Sequence, residues 1–308
     1  MSIGAGPDSP GSSGRGLPVE IVDACLRGGG GGSPTAVLRG VPASEAERRR
    51  VPVLLGTSHA VFVCDEGRED GLPVVSLHFA TVEGDLAACG HGTVAALTVL
   101  AERAGARSFQ AVLRVAGTTF TGRAVRNHDG LVEARFETDS IALRAATPAE
   151  RNSVLPAMGL APGAVGEACV ATLGRPRMLL SVASRLELAA LVPDLDRLRD
   201  ACDRIGLLGC YVYCEPNADG HAAARLFAPS IGVPEDIANA NSTACLAARL
   251  AHRGITSITV DMGDSLGHPA TITAGRTSTP TGPLVHVGGT ARIVRRLTLN
   301  GGEKGSAG

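Results

Sequence analysis

The sequence predicts an α+β fold of two similar lobes, on three observations. Short strand-like runs bounded by turn residues recur through both halves of the 308-residue chain. Each half holds one helix-length segment that is apolar on nearly every side, which only surrounding structure can cover. Laid on itself with an offset of 150 positions, the chain superposes those two segments: Ala88 falls on Ala238, Thr93 on Thr243, Leu100 on Leu250, Ala101 on Ala251 and Arg103 on Arg253. Ordered self-similarity of this kind marks an internal repeat, and a chain of this length can give each copy its own core.

In the first half the strand-like runs are LPVEIVDAC, TAVLRG, HAVFVCD, VVSLHFATVEG, AVLRVAG and LVEARFETD. Its one clear long helix is HGTVAALTVLAERAG, opened by small residues and closed by charged residues and Gly105. The second half repeats the plan. MLLSVAS and CYVYCE read as strands, LDRLRDACDRI as a surface helix and STACLAARLAHRG as the second buried helix. SITVDMG, ATITAG, LVHVGG and ARIVRRL follow as four short strands, some of which can return to complete the first lobe. The expected division is a first lobe of residues 17–135 plus about 285–299 and a second lobe of 136–284. Residues 1–16 and 300–308 are Gly-rich and polar, and are expected to be a disordered tail and a frayed end.

Composition narrows the function classes. With 29 Lys and Arg against 30 Asp and Glu there is no basic excess to hold phosphates, so nucleic acid is not an expected partner. No apolar stretch reaches the roughly 20 residues of a membrane span, and no hydrophobic signal core is visible, so the expectation is a cytoplasmic protein without a membrane partner. Eight cysteines are too dilute for a disulfide scaffold, and none stands in C-x-x-C spacing. They are expected to be reduced, most of them small core residues like Cys210 and Cys214 in the GCYVYC run. With no P-loop, no dinucleotide fingerprint and histidines scattered along the chain, neither a metal nor a nucleotide cofactor is expected.

The chemistry concentrates at the two helix starts, because a helix N-terminus presents unpaired N–H groups and partial positive charge to an anion. At the first, Cys89 and His91 flank Gly90, and Gly92 follows. A thiol there is expected to ionise readily and to serve as a base beside a carboxylate; the alternative is a tight strand-to-helix turn. At the second, Asp236 precedes Asn239, Ala240 and Asn241. Asn at a helix start is ordinarily an N-cap. His59, in the apolar run SHAVFV, is either a core histidine or an acid/base group.

These same residues carry a family resemblance. RLFAPSIGVPEDIANANSTACLAARL resembles the PhzF-like signature, in which an Arg-x-Phe-x-Pro strand leads to Glu-Asp-Pro-Ala-Thr-Gly-Ser-Ala and a buried helix. GSPTAV, SHAVFV and ACGHGT resemble three further landmarks in the family's order, so the similarity spans about residues 18–298. It places the chain in the diaminopimelate epimerase-like superfamily. The resemblance implies lobes that are curled, mostly antiparallel sheets or half-barrels around a central helix, a homodimer, and cofactor-free acid/base chemistry in the cleft. It puts His59 at the family's catalytic Glu, Asp236 at its Asp, His91 at its cleft His, Asn241 at its Ser and Ala240 at its paired Gly. It also adds Ser33 to the substrate-binding set of Gly90, Gly92, Asn239, Ala240 and Asn241. CGHG is similar, moreover, to the first cysteine motif of proline racemases and hydroxyproline epimerases, whose second cysteine falls on Asn239.

An amide cannot act as a base, so this pattern favours one working base over two. The expected activity is a proton shift that moves a double bond in a small carboxylated metabolite of bacterial secondary metabolism, such as antibiotic biosynthesis. The alternatives are a dehydratase or epimerase of the hydroxyproline type, and a non-catalytic binder. In the favoured case Cys89 or His59 removes the proton, the other or Asp236 returns one, and the backbone at Gly90 and Ala240 holds the carboxylate.

Overall fold

The computed structural model describes residues 17–42, 44–138, 140–279 and 282–299; the tails expected at 1–16 and 300–308 lie outside them. The first lobe runs β1 (Leu17–Ala24), β2 (Ser33–Arg39), α1 (Glu45–Leu55), β3 (His59–Glu69), β4 (Leu72–Thr81), β5 (Gly84–Leu86), α2 (Gly90–Ala104), β6 (Ser108–Val115), β7 (Thr118–Arg126) and β8 (Val132–Glu137). The chain continues through β9 (Ala142–Ala145), α3 (Pro148–Val154), β10 (Ala168–Leu173), β11 (Arg175–Val182), α4 (Arg185–Ala189), α5 (Leu195–Ile205), β12 (Cys210–Cys214), β13 (His221–Ala228) and β14 (Val233–Asp236). It ends on α6 (Ala240–Ala251), β15 (Ser257–Met262), β16 (Ala270–Thr279) and β17 (Gly282–Leu299).

Eight strands close a mixed barrel in the order β1-β2-β3-β4-β6-β7-β8-β17 and back to β1. Only β2/β3 and β4/β6 are parallel. A second set, β9-β10-β11-β12-β13-β15-β16-β17, follows the same order of senses, with β11/β12 and β13/β15 parallel. β17 belongs to both: its start pairs with β16, its middle with β8 and its end with β1. LVHVGG and ARIVRRL are therefore one strand. The Gly-Gly pair between them serves close approach: a Cβ on Gly288 would stand 2.1 Å from the Ala134 carbonyl oxygen.

α2 fills the barrel because its sequence leaves it no wet face; from Gly90 to Val99 every residue is buried. Its hydroxyls are satisfied internally, Thr93 donating to the Cys89 carbonyl at 2.9 Å and Thr98 to that of Val94 at 2.8 Å. Gly122 on β7 makes room for Leu97, since a Cβ there would meet the Leu97 Cδ2 at 2.8 Å. α6 occupies the matching place in the second lobe, and the two helices share one apolar core with strands of both lobes. Separate small cores lie under α1 and under α3 and α5 on the outer sheet faces.

Several elements went unread in the sequence, among them α1, α3, β7 and β10. α1 opens with a capping box, Ser44 to Glu47, but Pro52 inside it interrupts the helical pattern. β7, TTFTGRAVR, lacks the dense apolar run that marks its neighbours. All eight cysteines are free; Cys210 and Cys214 are buried. Among the described residues no helix is long and apolar enough to cross a membrane.

Candidate active site

The site is assembled where the two buried helices meet end to end. A Cβ on Gly90 would lie 2.5 Å from that of Ala240 and 3.2 Å from the Asn241 nitrogen, so only glycine fits there. The second start is held in place by the signature strand. The Arg225 guanidinium takes both oxygens of Glu235 at 2.8 and 2.9 Å and also donates to the carbonyls of Leu188 and Leu191, which ties β14 to β13. Asp236 then accepts from the Ala238 N–H at 3.3 Å and from the Asn239 side-chain amide at 2.9 Å. Asn239 in turn caps α6, accepting from the Ser242 N–H at 2.9 Å. The two starts differ in one respect: Cys89, at the N-cap of α2, makes no side-chain cap bond. The first-turn N–H groups of α2 thus keep their capacity for an anion.

His91 lies across the junction. Its Nδ1 donates to the Ala238 carbonyl at 2.7 Å, an oxygen that can only accept, which turns Nε2 toward the Cys89 sulfur at 3.4 Å. Burial opposes a charge on this ring, but the Cys89 thiol, Asp236 and the Ala238 carbonyl outweigh it, and the His91 pKa is raised to about 9. His59 stands edge-on to it, with ring centroids 4.3 Å apart at 84°, and its Nδ1 is 2.9 Å from the Ser58 hydroxyl. Burial and the neighbouring His91 charge push His59 well below the ordinary histidine value. One imidazole therefore holds a proton at neutral pH and the other does not.

This pair makes stability depend on pH in both directions. The His91 contribution is fully present below the ordinary value of 6.5 and is lost as pH rises through about 9. That of His59, which is neutral when folded, is present above 6.5 and is lost as pH falls below it. Thermal melts from acid to alkaline pH should show a His91→Asn variant losing the alkaline-side decline and a His59→Asn variant losing part of the acid-side decline.

A cavity of about 230 Å³ opens beside the thiol, lined among others by Phe79, Cys89, Thr93, Phe120, Phe136 and Asn241. Of the residues expected from sequence, Cys89 and Asn241 reach its wall; His59, His91, Asp236, Gly90, Gly92, Asn239 and Ala240 do not line it. Gly92 makes space for the thiol: a Cβ there would touch the Cys89 Sγ, Phe79 and Val61, each at 3.0 Å. Ser33 begins β2, two residues before the register partner of His59, and its buried hydroxyl has no hydrogen-bond partner among the described residues. The three phenylalanines were missed, because they come from β4, β7 and β8 and only barrel closure gathers them. Their one signal was scarcity, as the chain has six Phe in all.

A roomier groove of about 430 Å³ beside Arg144, Glu167, Arg249 and His252 contains neither helix start. It is walled by ion-paired arginines. His59, Cys89 and His91 also bring possible ligand atoms within 4.8 Å of one another, a grouping able to hold a metal ion that their scattered positions in sequence did not suggest.

The profile of the phenazine biosynthesis-like protein family (PhzC-PhzF) matches residues 22–296. A protein named "Uncharacterized isomerase YddE" from Escherichia coli O157:H7 is 26% identical over 225 residues, covering 69% of this chain and 71% of that protein. A PhzF-family phenazine biosynthesis protein from Bacillus anthracis has a TM-score of 0.76 at 17% identity, covering 92% of this chain and 98% of that one. A hydroxyproline epimerase from Agrobacterium vitis, with trans-4-OH-L-proline bound, has a TM-score of 0.59 at 14% identity over 93% of each chain. Both structures share the fold of this chain.

Proposed function

We propose, from the premise that this chain belongs to the phenazine biosynthesis-like family of PhzF-like isomerases and epimerases, that it is a cofactor-independent isomerase working through one base, Cys89. The observation that carries the reading is the Cys89–His91 pair at an uncapped helix start, with the thiol on the cavity wall. A sulfur within hydrogen-bond reach of an imidazole is the arrangement of a nucleophile or base with its activating partner. A substrate carboxylate bound at the α2 N-terminus stabilises in place the enolate-like charge that forms when a neighbouring C–H is broken.

In this reading the Cys89 sulfur takes the proton from the α carbon, and the electron pair moves into a dienolate. The same sulfur returns the proton at the γ carbon, so the double bond moves by one position and no atom is gained or lost. His91 acts through Cys89, its Nε2 3.4 Å from the sulfur that takes the proton. His59, edge-on to His91 and away from the cavity wall, is a positioning residue, and so is Asp236, whose oxygens are engaged by the Ala238 N–H and the Asn239 amide. Asn241 also lines the cavity, and its side-chain amide has no basic character, which supports isomerisation over epimerisation because inversion needs a second base.

Incubation in D₂O with β,γ-unsaturated monocarboxylates tests the proposal by NMR. The expected product is the α,β isomer with label at the γ carbon. Label at the α carbon together with both enantiomers would assign the protein to the epimerases instead.

A further inference from the structure

The cavity beside Cys89 has an unusual wall for this chain. Of its six phenylalanines three, Phe79, Phe120 and Phe136, line this one space. The rings of Phe120 and Phe136 are tilted at 42° with centroids 5.7 Å apart. Glu137 is the one charged residue among those lining the cavity, and no residue described here forms an ion pair with it. A neighbouring groove shares Thr118, Phe120, Glu137 and Thr138 with the cavity, so the space opens past Glu137 toward solvent.

Size sets what fits. An apolar cavity of about 150 Å³ lined by Leu, Ile and Phe takes up benzene. The space here, about 230 Å³, holds one such ring with its carboxyl group and little more. Aromatic walls favour another flat or apolar body at the offset distances rings adopt. A second carboxylate would meet the like charge of Glu137 at the opening of the cavity.

We infer that the substrate is a monocarboxylate whose reacting carbon carries one apolar, ring-sized body, seated against Phe79, Phe120 and Phe136, and that Glu137 rejects dicarboxylates. The inference rests on the proposed proton transfer at Cys89, which places the reacting carbon at that end of the cavity. Phe120, half-buried where Phe79 and Phe136 are buried, is the residue whose removal least disturbs the barrel.

The test is a panel of unsaturated ring-bearing monocarboxylates, short aliphatic monocarboxylates and dicarboxylates. Exchange with D₂O gives kcat/KM and calorimetry gives affinity, for the wild type, Phe120→Ala, Glu137→Gln and Cys89→Ala. A single methylene in an apolar pocket already discriminates by roughly 10- to 200-fold. The wild type should favour ring-bearing acids by about that factor, Phe120→Ala should erase most of the preference in both rate and affinity, and Glu137→Gln should raise dicarboxylates relative to the rest. An equal loss on all substrates in Phe120→Ala, a wild-type preference for dicarboxylates, or no affinity for any ring-bearing acid overturns the inference. Because calorimetry reads the pocket without turnover, undiminished exchange in Cys89→Ala would sink the proposed base and leave the pocket to be judged on its own.

Discussion

Replacing Cys89 with Ala should lower kcat by at least about 10²-fold while leaving the folded state intact, since a positioned base contributes roughly 10² to 10⁴ in rate. The side chain is small and 6% exposed, and among the described residues its hydrogen bond is to His91, so the fold loses the contacts of one sulfur atom. The catalytic step loses its base. Cys89→Ser keeps the shape but presents a hydroxyl too weakly acidic to ionise, and should fall nearly as far. Because Cys89 and His91 act as one unit, the double variant Cys89→Ala/His91→Ala should turn over little more slowly than Cys89→Ala alone. Steady-state kinetics with a thermal melt on each variant checks this.

The second large effect is structural and lies one residue further on. Gly90→Ala drives a methyl into the Ala240 methyl at 2.5 Å, where both atoms sit on the first turns of buried helices that cannot back away. Overpacking a core in this way costs about 1–3 kcal/mol. It also pushes apart the two helix starts, so kcat should fall together with thermal stability. The offending contact is Cβ against Cβ, and so removing the partner methyl is the diagnostic step. Gly90→Ala/Ala240→Gly should regain most of the lost stability, as measured by chemical denaturation. Stability loss that persists in the double variant would place the strain elsewhere.

What the sequence disclosed, and what it hid, follows from how far apart the cooperating residues lie. The two central helices were legible because a segment apolar on every side has only one way to be buried. Their matched starts were legible because Cys89 and Asn239 occupy equivalent places, and both are indeed N-caps. The spatial pairing of His59 with His91 was invisible: the residues are far apart in sequence, and only the seating of α2 inside the barrel sets one ring against the other. The phenylalanine wall was hidden for the same reason. Local signals also misled where a residue has two uses. LVHVGG and ARIVRRL were read as two strands, whereas Gly288 lets one strand, β17, run close to β8, and α1, with Pro52 inside it, was not read at all. Asn239 and Asp236 show the opposite case. Each was readable as a cap or as chemistry, and their hydrogen bonds go to each other and to the backbone of α6 and its approach.

The central claim is that one sulfur both takes and returns the proton, and the fate of a deuteron tests it most directly. A substrate carrying deuterium at the α carbon, turned over in ordinary water, should yield product with part of that deuterium at the γ carbon, because a buried thiol can pass its load on before solvent removes it. The Cys89→Ala protein should show no such transfer. Transfer at an undiminished rate in Cys89→Ala would mean that another group carries the proton, and would contradict the account.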